Sequence, residues 1–319
     1  MDAILSGPTG SAWIQYSILK ASAAVLRWVG YRGLRRVCRF ISRLFPGENS
    51  AVIPFRGAHL KVYLKDDYWV RYALVGARYE TEVESVLDEL LDHSSVFLDC
   101  GANIGFWSVY AGTRVGSNDR VVAAEPSLNT FARLVENSEL NGHSFAAVRK
   151  AVYSSSGETL QFRVDPAHHD SNGIVRGGSE AKHGVPNEPV DSTTVDDLFE
   201  QIPLSDGRVS TIVVKLDVEG AEREAFEGAQ DLVRRGAVFI YEDHGGDSAC
   251  RNTEFTLAIG LEVYFLDSRM PPVRICNLTQ LAALKTCSTR GYNLVTAKPG
   301  SPAMARLLTA LTPARRQRT

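Results

Sequence analysis

The chain has 319 residues, with Lys+Arg 35 against Asp+Glu 37, a formal net charge of -2, 44% hydrophobic and 9% aromatic residues, a globular balance that excludes collagen-like, mucin-like, long coiled-coil and wholly disordered chains. Near-neutral charge removes the bulk attraction on which non-specific nucleic-acid binding depends, so no nucleic-acid partner is expected. The five cysteines, Cys38, Cys100, Cys250, Cys276 and Cys287, form no C-x-x-C pair, which argues against a disulfide scaffold or structural zinc and for a reducing, cytoplasmic setting.

Between Ala3 and Gly47 the charged residues are Lys20, Arg27, Arg32, Arg35, Arg36, Arg39 and Arg43, with no acid. Residues 33–45 carry Leu34, Val37, Ile41, Leu44 and Phe45 at helical spacing, while Arg35, Arg39 and Arg43 form an i, i+4 ladder on another face. This predicts a basic amphipathic helix. Such a helix either lies on an anionic membrane surface or packs on the domain with a solvated basic face, and the second is the commoner use. No apolar stretch reaches the roughly 18 residues of a membrane span, and Asp2 is the only charge before Lys20, so neither a span nor a secretory signal is expected. Residues 1–50 are therefore set apart as an arm, 51–300 as one domain, and 301–319 as a tail that ends in Arg315, Arg316 and Arg318.

From about residue 54 strands and helices alternate. A helix is expected over 81–91, then a buried strand over 96–98 ending at Asp99, a helix over 106–114, and a strand over 120–125. A helix from Ser127 stops near Gly142, strands follow over 145–152 and 160–164, and residues 165–191, rich in Gly, His, Asn, Ser and Pro, form a loop. The almost continuously apolar strand 211–217 is one covered on both faces, followed by a helix over 221–235 and a strand over 237–242. Strands over 261–267 and 292–297, separated by a turn at Pro271-Pro272 and a helix over 278–284, add an antiparallel edge. Alternation of this kind predicts a three-layer α/β fold around a mostly parallel sheet.

The segment Asp99-Cys100-Gly101-Ala102-Asn103-Ile104-Gly105-Phe106 follows a strand and opens a helix. A dinucleotide fingerprint begun at Gly101 would need glycine at 103 and 106, where Asn103 and Phe106 stand. What remains, D-x-G-x-N-x-G, resembles the first motif of class I S-adenosylmethionine-dependent methyltransferases. Glu125 ends the next strand, where a carboxylate can accept both hydrogen bonds of a ribose diol.

The combination of DCGANIGF, AAEPS, KAVYSSSGE, TVDDL, KLDVEGAE and YEDHG, in that order from residue 96 to 244, resembles the FkbM-type methyltransferase family, and GLEVYFLDS and GYNLV resemble its closing strands. The resemblance implies a seven-stranded Rossmann-like sheet, S-adenosyl-L-methionine as cofactor, and a hydroxyl acceptor on a sugar, glycolipid or secondary metabolite. It carries Asp99, Gly101, Asn103 and Gly105 over as cofactor-loop positions, Glu125 as the ribose acid, and Asp217, Glu219 and Gly220 as the fourth-strand motif beside the transferred methyl. Two positions depart from it: Ser154 stands where an acid is common, and Asp243 intrudes between Glu242 and His244.

Methyl transfer to an alcohol needs alignment of donor and acceptor and a base for the hydroxyl proton. His244 at the end of the fifth strand is the first candidate base and Asp217 at the end of the fourth the second, because in parallel sheets the ligand crevice lies outside the carboxyl ends of the strands. The structural alternatives are a helix cap for Asp217 and a loop hydrogen bond for His244. A divalent ion on Asp217, Glu242, Asp243 and His244 is a weaker alternative, since no compact ligand spacing supports it; no resident metal is expected. His168, His169, Asp170 and His183 fit a lid better than a metal clip. The competing functions are a nucleotide-dependent oxidoreductase and a non-catalytic adenosyl-ligand binder or membrane-associated scaffold.

Overall fold

In a computed structural model of the chain, the described residues are the backbone of 4–6 and residues 10–45, 47–75, 79–164, 173–175, 187–204 and 208–312. They form two compact units, one of Met1–Thr81 with Glu139–Gly142, the other of Glu82–Ser138 with His143–Thr319.

The first unit holds β1 (Ile4–Ser6), α1 (Ser11–Leu26), α2 (Leu34–Leu44), β2 (Ser50–Phe55), β3 (Ala58–Tyr63) and α3 (Trp69–Val75). Its three strands form an antiparallel sheet in the order β1-β2-β3. The expected basic helix is α2: it buries Leu34, Cys38 and Ile41, and Arg35 and Arg39 donate to the Asp67 carboxylate at 3.4 and 3.0 Å. Helix α1 was not among the expected elements. It is tied down by two buried amides, since Asn49 Nδ2 donates to Gln15 Oε1 (2.7 Å) and Gln15 Nε2 to the Leu64 carbonyl (3.3 Å), so that no buried amide is left unpaired there.

The second unit begins with α4 (Thr81–Leu90), β4 (Val96–Cys100), α5 (Phe106–Gly112), β5 (Val121–Ala124), α6 (Leu128–Leu140) and β6 (Ala146–Val148). Then come β7 (Ala151–Val152), β8 (Thr159–Arg163), β9 (Gly173–Ile174), β10 (Asn187–Thr193) and α7 (Val195–Glu200). It closes with β11 (Ile212–Leu216), α8 (Glu222–Glu227), α9 (Gln230–Arg235), β12 (Val238–His244), α10 (Arg251–Ala258), β13 (Glu262–Asp267), β14 (Met270–Ile275), α11 (Leu278–Leu284), β15 (Gly291–Ala297) and α12 (Pro302–Leu311).

Its main sheet runs β14-β13-β15-β12-β11-β4-β5-β6. Strands β6, β5, β4, β11 and β12 are parallel, whereas β15 is antiparallel to both β12 and β13. The chain thus steps outward from β4 through β5 to β6, returns, and steps the other way through β11 and β12. That reversal opens a crevice at the carboxyl ends of β4 and β11. The seven expected strands are present, and β14 adds an eighth as the outer arm of a hairpin with β13. The central strands are almost wholly apolar and buried, with Phe97, Leu98, Val213, Val214, Leu216, Phe239, Ile240 and Tyr241 inside, as strands covered on both faces must be. The buried charged exceptions are Asp99 on β4, Lys215 on β11 and Asp243 on β12.

Four local expectations differ from the structure. The 145–152 strand is split: β6 joins the main sheet while β7 pairs with β10 in a second sheet of order β7-β10-β8-β9. Residues 187–193 are strand rather than loop, held by antiparallel pairing with β8; His168, His169, Asp170 and His183 lie outside the described residues. The single helix over 221–235 is two helices broken at Gly228-Ala229. A Cβ on Gly228 would come within 2.3 Å of the Tyr153 carbonyl, and the Asp196 carboxylate accepts from the N–H groups of Asp231 (2.8 Å) and Leu232 (3.0 Å), capping α9 from outside. Pro271 and Pro272 lie within β14, which is at the sheet edge, where a missing N–H is tolerated.

Candidate active site

The loop after β4 is shaped by close approach to β11. Gly101 has φ +81, and a Cβ there would come within 1.9 Å of the Asp217 carbonyl, while Asp217 N–H donates to the Cys100 carbonyl at 2.9 Å. Only glycine fits this position. Asn103 follows in a left-handed conformation, φ 52, with its side-chain oxygen accepting from Ile104 N–H at 2.9 Å. Gly105, φ +86, leaves room for Leu134 and Phe145, so α5 and α6 pack closely there. Asp99 is buried and accepts from Ser108 Oγ at 2.5 Å. Burial raises its proton affinity, and the cation of Lys215, its register partner on β11, works against that rise.

Glu125, at the end of β5, is buried. Its Oε2 accepts from Asn103 N–H and its Oε1 from Ser127 N–H, both at 3.0 Å. Burial pushes its pKa up to about 7, against the pull of these two bonds and with the repulsion of Asp217 and Asp99. Each oxygen retains a second lone pair, so the group can accept two more hydrogen bonds from a diol.

At the ends of β11 and β12 opens a cleft of about 1170 Å³, whose walls include Asp217, Glu219, Gly220, Glu222, Glu242 and His244, with Tyr153, Ser154, Arg163, Asp247 and Asn252 around them. Buried Lys215 donates to Asp217 Oδ2 at 2.7 Å. The turn after Asp217 is held by Glu222: its Oε1 accepts from the N–H groups of Val218 (3.2 Å) and Gly220 (3.1 Å), and its Oε2 from Asn252 Nδ2 (3.1 Å). Burial raises the Glu222 carboxyl above its ordinary range, and these bonds oppose it. Glu219 stands in the left-handed region, φ 53, and its carboxyl is raised well above the ordinary range by desolvation and by Asp217, Glu242, Glu222 and Glu125. The residue itself is exposed, so the crowding of like charges is the firmer of the two causes.

Strand alternation sorts the acids of β12. Glu242 and His244 reach the cleft, whereas Asp243 turns the other way into the core. There Lys285 Nζ donates to its Oδ1 at 2.6 Å and Thr253 Oγ1 to its Oδ2 at 2.8 Å, with both members of the ion pair fully buried. The intrusion at 243 therefore leaves Glu242 and His244 on one face. A Cβ on Gly291, the register partner of His244, would overlap the Glu242 carboxyl at 1.9 Å, so glycine at 291 is what lets that side chain lie across β15. His244 Nδ1 accepts from Gly246 N–H at 3.0 Å, which puts the proton of the neutral ring on Nε2. Among the described residues no group of three or more His, Cys, Asp or Glu is placed to hold a metal ion.

Of the residues singled out from sequence, Asp217, Glu219, Gly220 and His244 meet in the cleft. Glu125 lies within electrostatic reach of Asp217 and Glu219, and Gly101 against the Asp217 backbone. Asp99 and Gly105 act through packing and hydrogen bonding beneath the loop. Sequence reasoning missed Lys215 and Glu222 as members of the site. The signal for the first was a lone lysine in an otherwise apolar buried strand; for the second, a carboxylate two residues past Gly220, where the turn leaves N–H groups to be satisfied.

The chain matches the sequence profile of the methyltransferase FkbM domain over residues 99–265, a little over half its length. It is 29% identical over 171 residues to the hexuronic acid methyltransferase AglP of Haloferax volcanii, covering 53% of this chain and 64% of that protein. It is 27% identical over 196 residues to methyltransferase 1 of Beauveria bassiana, covering 54% of this chain and 76% of that one. Among solved structures, the methyltransferase FkbM from Methylobacillus flagellatus KT is 16% identical, with a TM-score of 0.37 over 65% of this chain and 44% of that chain.

Proposed function

The chain belongs to the FkbM methyltransferase family, and from that premise we propose that it is an S-adenosylmethionine-dependent O-methyltransferase acting on a hydroxyl of a sugar, as a free glycan, a glycolipid or a glycosylated metabolite. The observation that carries the reading is Glu125. It is a buried carboxylate at the end of the second parallel strand, fixed by Asn103 and Ser127 and with acceptor capacity to spare. The residues present fit an adenosyl group: Glu125 would hold the two ribose hydroxyls, and the loop 101–105, flanked by the Asp99–Ser108 bond, would hold the amino-acid end. When bound, S-adenosylmethionine supplies a methyl group already activated by a sulfonium centre.

The protein's own work is then to place the acceptor oxygen and remove its proton. Asp217 lines the cleft with its Oδ2 fixed by Lys215, and to its other oxygen we assign the hydroxyl proton. His244, with its Nδ1 occupied by Gly246 N–H, orients the acceptor through Nε2–H, and becomes a base itself only by giving up that bond. Glu219 and Glu242 add acceptors suited to a polyol, whose hydroxyls are donors at every carbon. Arg163 on the cleft wall offers a site for an acidic substituent such as a uronate, in keeping with the hexuronic acid specificity in the name of the Haloferax volcanii relative.

Incubation with methyl-labelled S-adenosylmethionine and a glycan and glycolipid extract, followed by mass analysis, tests this. Label on a sugar oxygen is the expected result. Label on nitrogen or carbon refutes the hydroxyl acceptor. Heat on titration with NAD(P) and none with S-adenosylmethionine or its demethylated product refutes the whole reading.

A further inference from the structure

The first unit turns an apolar surface outward. Trp13, Ile14, Ile18, Val25, Trp28 and Val29 are all exposed, Trp28 at 81%, Val25 at 70% and Trp13 at 66%. Within α1, Ile14, Ile18 and Val25 repeat at intervals of four and seven, one stripe along the helix, while Ala12, Gln15, Leu19 and Ala23 form the buried face. A surface helix ordinarily puts polar residues opposite its core face. In α1, Lys20 is the sole charged residue. An apolar stripe that is neither buried nor broken by charge marks a surface that meets something.

What it meets is indicated by the cations around it. Residues 10–45 carry seven Lys and Arg and no acid. Two of them, Arg35 and Arg39, are taken up by Asp67. Lys20, Arg27, Arg32, Arg36 and Arg43 are exposed and have no carboxylate partner among the described residues. On α2, Arg36 and Arg43 share a flank with the exposed Phe40 and Leu44 at helical spacing. Arg27 lies over the Trp28 ring at 4.9 Å, keeping cation and aromatic together where headgroup and acyl chain meet. A second copy of the same face would set five cations against five, which opposes self-association.

We propose that the outer face of α1 and the turn joining it to α2 form a docking surface for an anionic lipid bilayer. The helix lies in the interface and does not cross it: no helix among the described residues is long and apolar enough to span, and the 16 residues of α1 measure roughly 24 Å at 1.5 Å per residue, short of the roughly 30 Å hydrocarbon core. The basic ladder of α2, which the sequence alone points to, is in part committed to Asp67. The membrane-facing apolar surface belongs to α1, which the sequence alone does not. This inference is independent of methyl transfer and stands or falls separately.

The test is flotation of the full chain with vesicles of phosphatidylcholine containing 30% phosphatidylglycerol, against vesicles of phosphatidylcholine alone. The expected result is co-flotation with the anionic vesicles at low salt, lost at high salt. A blue shift of tryptophan emission should accompany it, which Trp13 and Trp28 can give and the buried Trp69 and Trp107 cannot. Val25→Ser with Trp28→Ser, both at exposed positions, should weaken vesicle binding at least tenfold with an unchanged melting curve, and Arg27→Glu with Arg32→Glu should do the same. No flotation, equal flotation with both vesicle types, or variants that float like the parent overturn the proposal. So does concentration-dependent dimerisation that Trp28→Ser abolishes, which would assign the face to a second copy.

Discussion

The carbonyl oxygen of Asp217 occupies the space a side chain at residue 101 would need: a Cβ on Gly101 would stand 1.9 Å from it. The glycine loop and the fourth-strand turn are thereby one structural object, and a change in either moves the other.

Gly101→Ala should therefore cost more than about 3 kcal/mol of stability, since it adds a clash with backbone to the roughly 1–2 kcal/mol of a left-handed alanine. Gly236→Ala is the matched control. Gly236 has nearly the same φ, +83, but nothing lies within 4 Å of its added Cβ, so only the conformational cost of about 1 kcal/mol applies. Urea titration of the two variants separates them. Equal losses would show that the contact with Asp217 does not constrain the loop.

Glu125 gives the protein a pH dependence with a definite sign. Its carboxyl is raised from 4.5 to about 7 in the folded state, chiefly by burial. Between these values the native protein holds a proton that the unfolded chain has released. Stability from this group is thus full below about 4.5 and is lost as pH rises through about 7, on the order of 3 kcal/mol in all. Other buried acids share the trend, so the informative quantity is the difference between the parent and Glu125→Gln in thermal stability from pH 4.5 to 8. A parallel pair of curves would remove the group from the account. Affinity for the demethylated cofactor product should run the opposite way, strengthening from pH 6 to 8, because only the ionised carboxylate accepts from both ribose hydroxyls.

How far the sequence revealed this arrangement depends on the range of the forces concerned. The parallel strands were legible because a doubly covered strand must be apolar along nearly its whole length, and residues 212–214 and 238–241 satisfy that locally. The strand-end acids Glu125 and Asp217 followed from topology. Legibility failed where a distant residue decides. The break in the 221–235 helix is set by the Tyr153 carbonyl and the Asp196 carboxylate, and the side to which Asp243 points is fixed by Lys285, 42 residues away. Prolines 271 and 272 suggest a turn to any local rule, and only the edge position of β14 makes them strand residues.

Glu222 satisfies three donors at once, the N–H groups of Val218 and Gly220 and the amide of Asn252. Glu222→Ala leaves all three without it in a site already crowded with acids, a cost of about 3 kcal/mol at 1 kcal/mol or more per lost bond. The turn bearing Glu219 should loosen as well. Methyl transfer should fall at least 100-fold while binding of the demethylated cofactor product, which we assign to Glu125, falls less than tenfold. Unchanged turnover would reduce Glu222 to a purely structural brace for the turn.

Asp217 and His244 should differ in kinetic signature. Asp217→Asn keeps the shape but removes the proton acceptor, so kcat should fall by about 10²–10⁴ at all pH values with cofactor binding intact. His244→Gln preserves a donor near the position of Nε2 and should raise KM for the acceptor more than it lowers kcat. The reverse pattern, with the histidine variant dead and the aspartate variant active, would make His244 the base and Asp217 a positioning residue.

The buried pair Asp243–Lys285 is the part of the β12 strand end that supports the site without entering it. Lys285 Nζ bonds Asp243 at 2.6 Å and the Asp247 carbonyl at 2.6 Å, tying β12 to the segment after α11 and so holding the 244–247 turn on which His244 sits. Lys285→Met leaves a fully buried carboxylate without its counter-ion and should destabilise by about 3–5 kcal/mol, whereas Asp243→Asn combined with Lys285→Met should recover much of that loss, because neither charge then remains in the core. A double variant no better than the single one would mean that the bond to the Asp247 carbonyl, and not charge pairing, is what fixes the turn. A double variant that recovers stability should also keep methyl transfer within a few-fold of the parent, since Asp243 faces away from the cleft.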